Sequence, residues 1–238
     1  MKIGLTYTGS EGKHNRYVDW LSGKDIEVIK LSAGENGKEL FDKCDALVLS
    51  GGIDMEPEFY HGAATYANMP TNGFDRARDQ FEWDLFGKAL DRSIPVLGIC
   101  RGQQLINCFL HGDMLQDGGE PGNSIHRSFK DEKDQQFDRA HAVRVVEKSL
   151  LGEIAGIKRG VVNSAHHQAL GKLGEGLMAS CYSDDSLIEG IEWADKKGKS
   201  FMLAVQWHPE RMVDMNLNDS PLASNIRNHF IQGIKSLR

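Results

Sequence analysis

The sequence predicts an α/β fold, with a mostly parallel central sheet, helices on both faces and an antiparallel extension. Two observations carry that expectation. In the first half, short and wholly apolar runs alternate with segments of helical periodicity, the texture of strands buried on both faces. Beyond Leu110 the helical stretches thin out and strand-like segments follow one another directly.

Taken in order, residues 3–7, 26–31, 46–49 and 94–99 read as buried strands, each a compact apolar run. Residues 38–44 and 79–90 read as helices, the second because Phe81, Leu85, Phe86, Ala89 and Leu90 recur near helical spacing. A further helix over 102–110 carries Leu105, Ile106, Phe109 and Leu110. Strands follow at 142–146, 161–162, 177–181, 188–193 and 201–207. Ser220-Pro221 is a good N-cap and first-turn pair, and leads into Leu222, Ile226, Phe230 and Ile234 at four-residue spacing, a final amphipathic helix. No repeat, low-complexity tract or Pro/Ser-rich linker interrupts the series, so residues 1–238 are expected to form one domain. The long polar loops 54–73 and 116–139 fit either functional loops or mobile surface insertions.

Composition narrows the function classes. The chain carries 28 Lys plus Arg against 34 Asp plus Glu, a net charge of -6, with 40% hydrophobic and 26% charged residues, the profile of a folded globular protein. Its densest basic cluster, Lys196, Lys197 and Lys199, is broken by Gly198 and preceded by Asp195, so no footprint for nucleic acid is expected. No stretch approaches the ~18 consecutive apolar residues of a membrane span, and the first residues do not read as a secretion signal. A cytoplasmic location is therefore expected, with Cys44, Cys100, Cys108 and Cys181 reduced and none spaced as a Cys-x-x-Cys pair.

The strongest local signal is Gly98-Ile99-Cys100-Arg101-Gly102, placed where an apolar strand gives way to a helical pattern. This is the pattern of a nucleophile elbow with sulfur in place of oxygen. A sharp strand-to-helix turn strains its central residue and brings the positions two away on either side into close contact, hence the flanking glycines. The start of the next helix and a neighbouring imidazolium favour thiolate over thiol there. Cys44, Cys108 and Cys181 lack such flanks and read as core.

Such a nucleophile needs a base. Among nine histidines, His14, His61, His111 and His229 read as surface or packing residues, whereas His208 closes the run Phe201-Met202-Leu203-Ala204-Val205-Gln206-Trp207 and precedes Pro209. Glu210 follows two positions on, placed on the same side of an extended chain to orient the ring, so Cys100, His208 and Glu210 make a triad. Acyl transfer also needs donors for an oxyanion. The Arg101 amide comes with the elbow, and Ser50-Gly51-Gly52, at the end of a buried strand, offers bare backbone for a second donor. No phosphate-binding Gly-Lys-Ser/Thr loop, dinucleotide glycine pattern or metal-ligand histidine spacing is found, so neither metal nor organic cofactor is expected.

Several ordered segments together resemble the class I glutamine amidotransferase-like superfamily, and within it the branch of gamma-glutamyl hydrolases and gamma-glutamyl-gamma-aminobutyrate hydrolases. They are Ser50-Gly51-Gly52-Ile53-Asp54 with Pro57 and Tyr60; Asp75, Arg78-Asp79 and Glu82; and Gly98-Ile99-Cys100-Arg101-Gly102-Gln103-Gln104. His126, Val162-Asn163-Ser164, His166-His167-Gln168, Glu189-Gly190-Ile191-Glu192 and Val205-Gln206-Trp207-His208-Pro209-Glu210 follow. The resemblance covers most of the chain and implies a flavodoxin-like sheet and a cysteine hydrolase acting on a small gamma-glutamyl amide. It implies Cys100 as nucleophile, His208 as base, Glu210 as its orienter, and Gly52 with Arg101 as oxyanion hole. Gln104 is implied to hold the glutamyl group, and Asn163, Ser164 and His166 to line the pocket. Two other readings stay open: a glutaminase subunit supplying ammonia to a partner synthetase, and a homologue that binds without catalysis. The length and the Arg78-Asp79 and His166-His167-Gln168 segments argue for the hydrolase, leaving a second copy of the chain as the macromolecular partner to consider. One departure bears on the leaving group: where the family commonly shows a Gly-Gly-Thr-Leu-like turn, this chain has His111-Gly112-Asp113-Met114-Leu115.

Overall fold

The computed structural model describes residues 1–34, 36–117 and 125–236. Its first half runs β1 (Lys2–Thr6), α1 (Glu11–Leu21), β2 (Glu27–Leu31), α2 (Gly37–Asp42), β3 (Ala46–Leu49), α3 (Arg76–Asp91), β4 (Val96–Ile99) and α4 (Arg101–Phe109). Then come β5 (Met114–Leu115), β6 (Phe129–Lys130), β7 (Gln136–Phe137), β8 (Arg139–Val145), α5 (Leu150–Ala155) and β9 (Arg159–Ser164). The chain continues through β10 (Ala169–Leu170), β11 (Leu177–Ser183), β12 (Ile188–Trp193), β13 (Met202–Val205) and α6 (Ile226–Lys235). One nine-stranded sheet takes the order β2-β1-β3-β4-β13-β12-β11-β8-β9. Neighbours from β2 to β13 are parallel, and every pair beyond β13 is antiparallel.

Burial follows this division. Every residue of β3, β4 and β13 is buried, as parallel strands covered on both faces require. On β8, by contrast, His141, Val143 and Val145 point inward while Ala140 and Arg144 are exposed, the period-two pattern of a sheet with one wet face. Tyr17 and Leu21 of α1, Leu151 and Ile154 of α5, and Ile226 and Phe230 of α6 pack into one apolar cluster. Phe41 of α2, Phe81, Leu85 and Phe86 of α3, and Leu105 and Ile106 of α4 build the other. Each large side chain so withdrawn from water contributes on the order of 1.5–3 kcal/mol.

The structure adds helices where periodicity was weak. Only Tyr17, Val18, Trp20 and Leu21 are apolar in α1, and α5 is a six-residue helix capped by Ser149, which accepts from the Gly152 amide. The final helix starts as expected at Ser220, whose side chain accepts from the Leu222 amide, but a wide turn over Pro221–Asn225 precedes α6. The apolar run expected as a strand to residue 207 leaves the sheet at Val205, so Gln206, Trp207 and His208 stand beyond its edge. The His111-to-Leu115 turn enters β5, which pairs with β10 in a separate ribbon. No helix among the described residues is long and apolar enough to cross a membrane.

Candidate active site

Strand register brings the site together. Leu49 lies beside Gly98, and Ile99 beside Val205, in neighbouring parallel strands. The segments leaving β3, β4 and β13 therefore emerge at one edge of the sheet, the carboxyl edge where open α/β folds bind ligands. Gly51 and Gly52, Cys100, and His208 line the same cavity there, about 110 Å³ in volume.

Cys100 sits between β4 and α4 with φ 53° and ψ −106°, a backbone state that L residues rarely adopt. The turn holds because its ends are fixed: the Cys100 amide donates to the Val205 carbonyl at 2.7 Å, and the Gln103 amide donates to the Cys100 carbonyl at 3.0 Å. Close approach explains the flanking glycines. A Cβ on Gly98 would lie 2.8 Å from the Ala204 Cβ, and one on Gly102 would lie 2.2 Å from the Leu49 carbonyl oxygen. The second obstacle is backbone, which cannot swing aside, so Gly102→Ala is expected to destabilise the fold by about 2–4 kcal/mol, measurable by urea unfolding.

His208 is held on two sides. Its amide donates to Asn163 Oδ1 at 3.1 Å, and its Nδ1 donates to Glu210 Oε1 at 2.7 Å, while the ring also bonds the Cys100 sulfur. The chain between them is not extended, as the sequence suggested. A tight helical turn over Pro209–Met215 begins there and brings the carboxylate back under the ring. Trp207 anchors the segment by donating its indole N–H to the Leu222 carbonyl at 3.0 Å. Burial and the nearby Arg211 push the His208 pKa down, but the Glu210 carboxylate and the Cys100 sulfur outweigh them and raise it to about 9. For Glu210, burial opposes ionisation, yet the His208 charge and hydrogen bond hold its carboxyl below the ordinary range. Burial, followed by the Glu210 charge, pushes the Tyr17 phenol well up, so it remains a hydroxyl 3.4 Å from His208 Nδ1.

The glycine loop is fixed from behind by buried charge. Arg78 donates to the Gly51 carbonyl at 2.9 Å and to Glu82 at 2.7 Å, while Arg101 pairs with both Asp79 and Glu82. All four residues are at most 8% exposed. The Arg78 guanidinium fills the place a side chain would need, since a Cβ on Gly52 would lie 2.1 Å from its Nη1. Arg101 thus has two parts: a side chain locked into this quartet and an amide that opens α4.

The four residues that the resemblance ties to the substrate all hydrogen-bond to protein groups. Gln104 donates to the Gln168 carbonyl at 3.3 Å and to Gln206 Oε1 at 3.2 Å, and Gln206 in turn donates to Cys100 Sγ at 3.5 Å. Asn163 braces His208, Ser164 donates to the His126 carbonyl, and His166 directs one ring nitrogen to the Gln168 carbonyl. None of the four lines the Cys100 cavity, and His166 Nε2 is left without a hydrogen-bond partner among the described residues. The lining that the sequence did not single out includes Tyr17, Lys13 and Arg211. Arg211 Nε lies 3.3 Å from Asp138, and its buried Nη2 has no hydrogen-bond partner among the described residues.

The loops contribute unequally. Gln136, from the β6–β7 hairpin within the 116–139 segment, reaches the cavity, although residues 118–124 of that segment lie outside the described residues. The 54–73 loop is tied down by Asp54, which accepts from the Tyr66 hydroxyl and from His167 Nε2 at 2.6 and 3.1 Å. Cys44, Cys108 and Cys181 are buried free thiols. Burial pushes the Cys44 thiol up to about 11 and the other two higher still, which suits packing and not nucleophilic chemistry.

Comparison with known proteins bears on this arrangement. The chain is 35% identical over 188 residues to a Lactococcus lactis protein provisionally named glutamine amidotransferase-like, YvdE, spanning 79% of this chain and 75% of that one. A more distant relative, the gamma-glutamyl-gamma-aminobutyrate hydrolase PuuD of Escherichia coli, is 28% identical over 177 residues, 73% of this chain and 66% of that one. Among solved structures, a Thermoplasma acidophilum protein provisionally described as part of a GMP synthase shares the fold with a TM-score of 0.66 at 21% identity, over 100% of this chain and 96% of that one. The Peptidase C26 model matches residues 13–210, from the helix that carries Tyr17 to Glu210, and the chain belongs to the Peptidase C26 family, of the class I glutamine amidotransferase-like fold.

Proposed function

We propose that the protein is a cysteine hydrolase that cleaves the gamma-glutamyl amide bond of a small molecule through a thioester. One observation carries this reading: Cys100, on a strained elbow, opens into the same cavity as His208, whose far nitrogen is bound to Glu210. The Cys100 thiolate attacks the gamma carbonyl carbon, and the carbonyl oxygen takes up the negative charge. The Gly51 amide is committed to Tyr17 Oη at 2.9 Å, which leaves the Gly52 amide, with that of Arg101, to receive the oxyanion. Collapse of the tetrahedral intermediate expels the amine, protonated by the His208 imidazolium. Neutral His208 then takes a proton from water as its oxygen attacks the thioester, releasing glutamate and restoring the thiolate–imidazolium pair.

Arg211 and Lys13 give the cavity its substrate preference in this reading. A gamma-glutamyl group carries an α-carboxylate, and Arg211 and Lys13 supply positive charge at the cavity wall to receive it. Arg211→Met is expected to raise KM by about 10- to 100-fold with a smaller change in kcat, read from steady-state kinetics on a gamma-glutamyl amine.

The function itself is tested by incubating the purified protein with a glutamine-like chloroketone and by assaying a panel of gamma-glutamyl amines. The expected result is one covalent adduct on Cys100, absent in Cys100→Ala, together with turnover of the amines. Absence of both adduct and turnover between about pH 6 and 9 rules the reading out. A second reading, a glutaminase that feeds ammonia to a synthetase, is favoured by the amidotransferase-like name of the Lactococcus relative. Turnover of glutamine alone, and only with an added partner, would select it.

A further inference from the structure

The antiparallel half of the sheet holds a second cluster of chemically capable side chains that the proposed hydrolysis does not use. His126 precedes the β6–β7 hairpin, His141 lies on β8, His166 follows β9 and Glu189 lies on β12. They are 2%, 8%, 6% and 0% exposed. Cys181 faces Gly190 and Tyr182 faces Ile188 across β11 and β12, so Glu189 is the extra residue of a bulge, a device that re-aims a side chain.

The hydrogen bonds at the periphery of the cluster determine what lies at its centre. His141 Nδ1 is 3.1 Å from the Ala142 carbonyl, and His166 Nδ1 is 2.9 Å from the Gln168 carbonyl. A carbonyl only accepts, so both Nδ1 atoms carry the proton, and in the neutral rings both Nε2 atoms present lone pairs inward. His126 makes the mirror arrangement: its Nε2 donates to the Asp185 carboxylate at 3.0 Å, and its Nδ1 turns inward. His126 Nδ1, His141 Nε2, His166 Nε2 and both Glu189 oxygens are buried without a hydrogen-bond partner.

The three inward nitrogens lie 3.3, 3.6 and 3.5 Å from Glu189 Oε1, and all four ligand atoms lie within 4.8 Å of one another. Those spacings are long for charge-assisted N–H···O bonds, which close to about 2.7–2.9 Å. The three N···O spacings are near the edge of a tetrahedron, since ligand bonds of about 2.0–2.1 Å put neighbouring donors about 3.3 Å apart. Lone pairs beside a carboxylate, all withdrawn from water, repel unless a cation or a proton sits among them. Histidine ligands whose outer nitrogens are fixed by carbonyl or carboxylate oxygens are the usual support of a metal ion.

We propose that His126, His141, His166 and Glu189 bind one divalent cation of the zinc class, in a closed structural site distinct from the Cys100 cavity. Three imidazoles and one carboxylate suit zinc, and four protein ligands fill a tetrahedron and leave no position for a reacting group. The sequence pattern that signals most zinc sites is absent because each ligand comes from a separate strand or loop. The site's place gives it a role. The segment from Asn163 to His166 carries the brace of His208 and, at Ala165, part of the cavity wall. A cation holding His166 to β8 and β12 fixes that segment from behind.

The test uses the full chain, freed of any histidine tag and stripped with a chelator. Titration with zinc by calorimetry should give one strong site per chain, and cobalt(II) substitution should give the intense visible bands of four-coordinate geometry. His141→Ala and Glu189→Gln should weaken zinc binding by about 100-fold or more, while Cys100→Ser should leave it intact. If the wild-type chain shows neither a stoichiometric site nor that cobalt spectrum, the proposal fails, whatever the variants do. It fails equally if zinc binding disappears in Cys100→Ser and persists in Glu189→Gln, because the thiol would then be the ligand.

Discussion

Cys100→Ala is expected to lower kcat by about 10⁴-fold or more while the protein remains folded. The sulfur is the reacting atom in the proposed hydrolysis, and no neighbouring group can stand in for it: the Gln206 amide aimed at it is only a donor, and the other three cysteines are buried elsewhere. The same position gives an opposite effect on stability. Because residue 100 has φ 53° and ψ −106°, Cys100→Gly is expected to be more stable than Cys100→Ala by about 1 kcal/mol, although both are inactive. Paired urea unfolding curves and single-turnover assays check the two halves. An alanine variant as active as wild type, or as stable as the glycine variant, would contradict the strained-nucleophile account.

The second large effect concerns the imidazole. His208→Ala is expected to cost about 10⁵-fold in kcat/KM, and Glu210→Gln about ten- to a hundredfold less, because the carboxylate orients and stabilises the ring but does not move the proton to substrate. Glu210→Gln carries a further signature. With the carboxylate in place the His208 pKa stands at about 9, so its imidazolium persists through neutral pH and is lost as pH rises through that value. Removing the negative partner removes part of what holds the proton. The alkaline limb of the kcat/KM profile should therefore move toward lower pH in Glu210→Gln. An unmoved limb would mean that Glu210 does not set the charge of His208.

Much of this was readable from residue order because its causes are local. A four-residue apolar run, two glycines spaced around a cysteine and a histidine at the end of another run give the elbow and its partner, and the parallel register then places both at one edge. What the sequence did not reveal depends on distant segments. Tyr17 looks like an ordinary apolar position of α1, yet it closes on Gly51 and His208, 34 and 191 positions away in the chain. Arg211 adjoins Glu210 in the chain, but its exposure to the cavity follows from the turn after Pro209. Gln104, which the resemblance ties to the glutamyl group, also donates to Gln206, a link that residue order does not show. The histidines at 126, 141 and 166 meet Glu189 only after the four strands β12, β11, β8 and β9 have paired, so no spacing rule could collect them.

The buried quartet behind the glycine loop, Arg78, Asp79, Glu82 and Arg101, has two positive and two negative members and is closed on itself. Neutralising any one of them strands an unmatched ion in the interior, at a cost of about 3–5 kcal/mol. A deep mutational scan should find single replacements depleted at all four sites, with tolerance appearing only in combinatorial libraries that exchange opposite members simultaneously. Sequence drift in this region is then expected to proceed by concerted jumps and not by single steps.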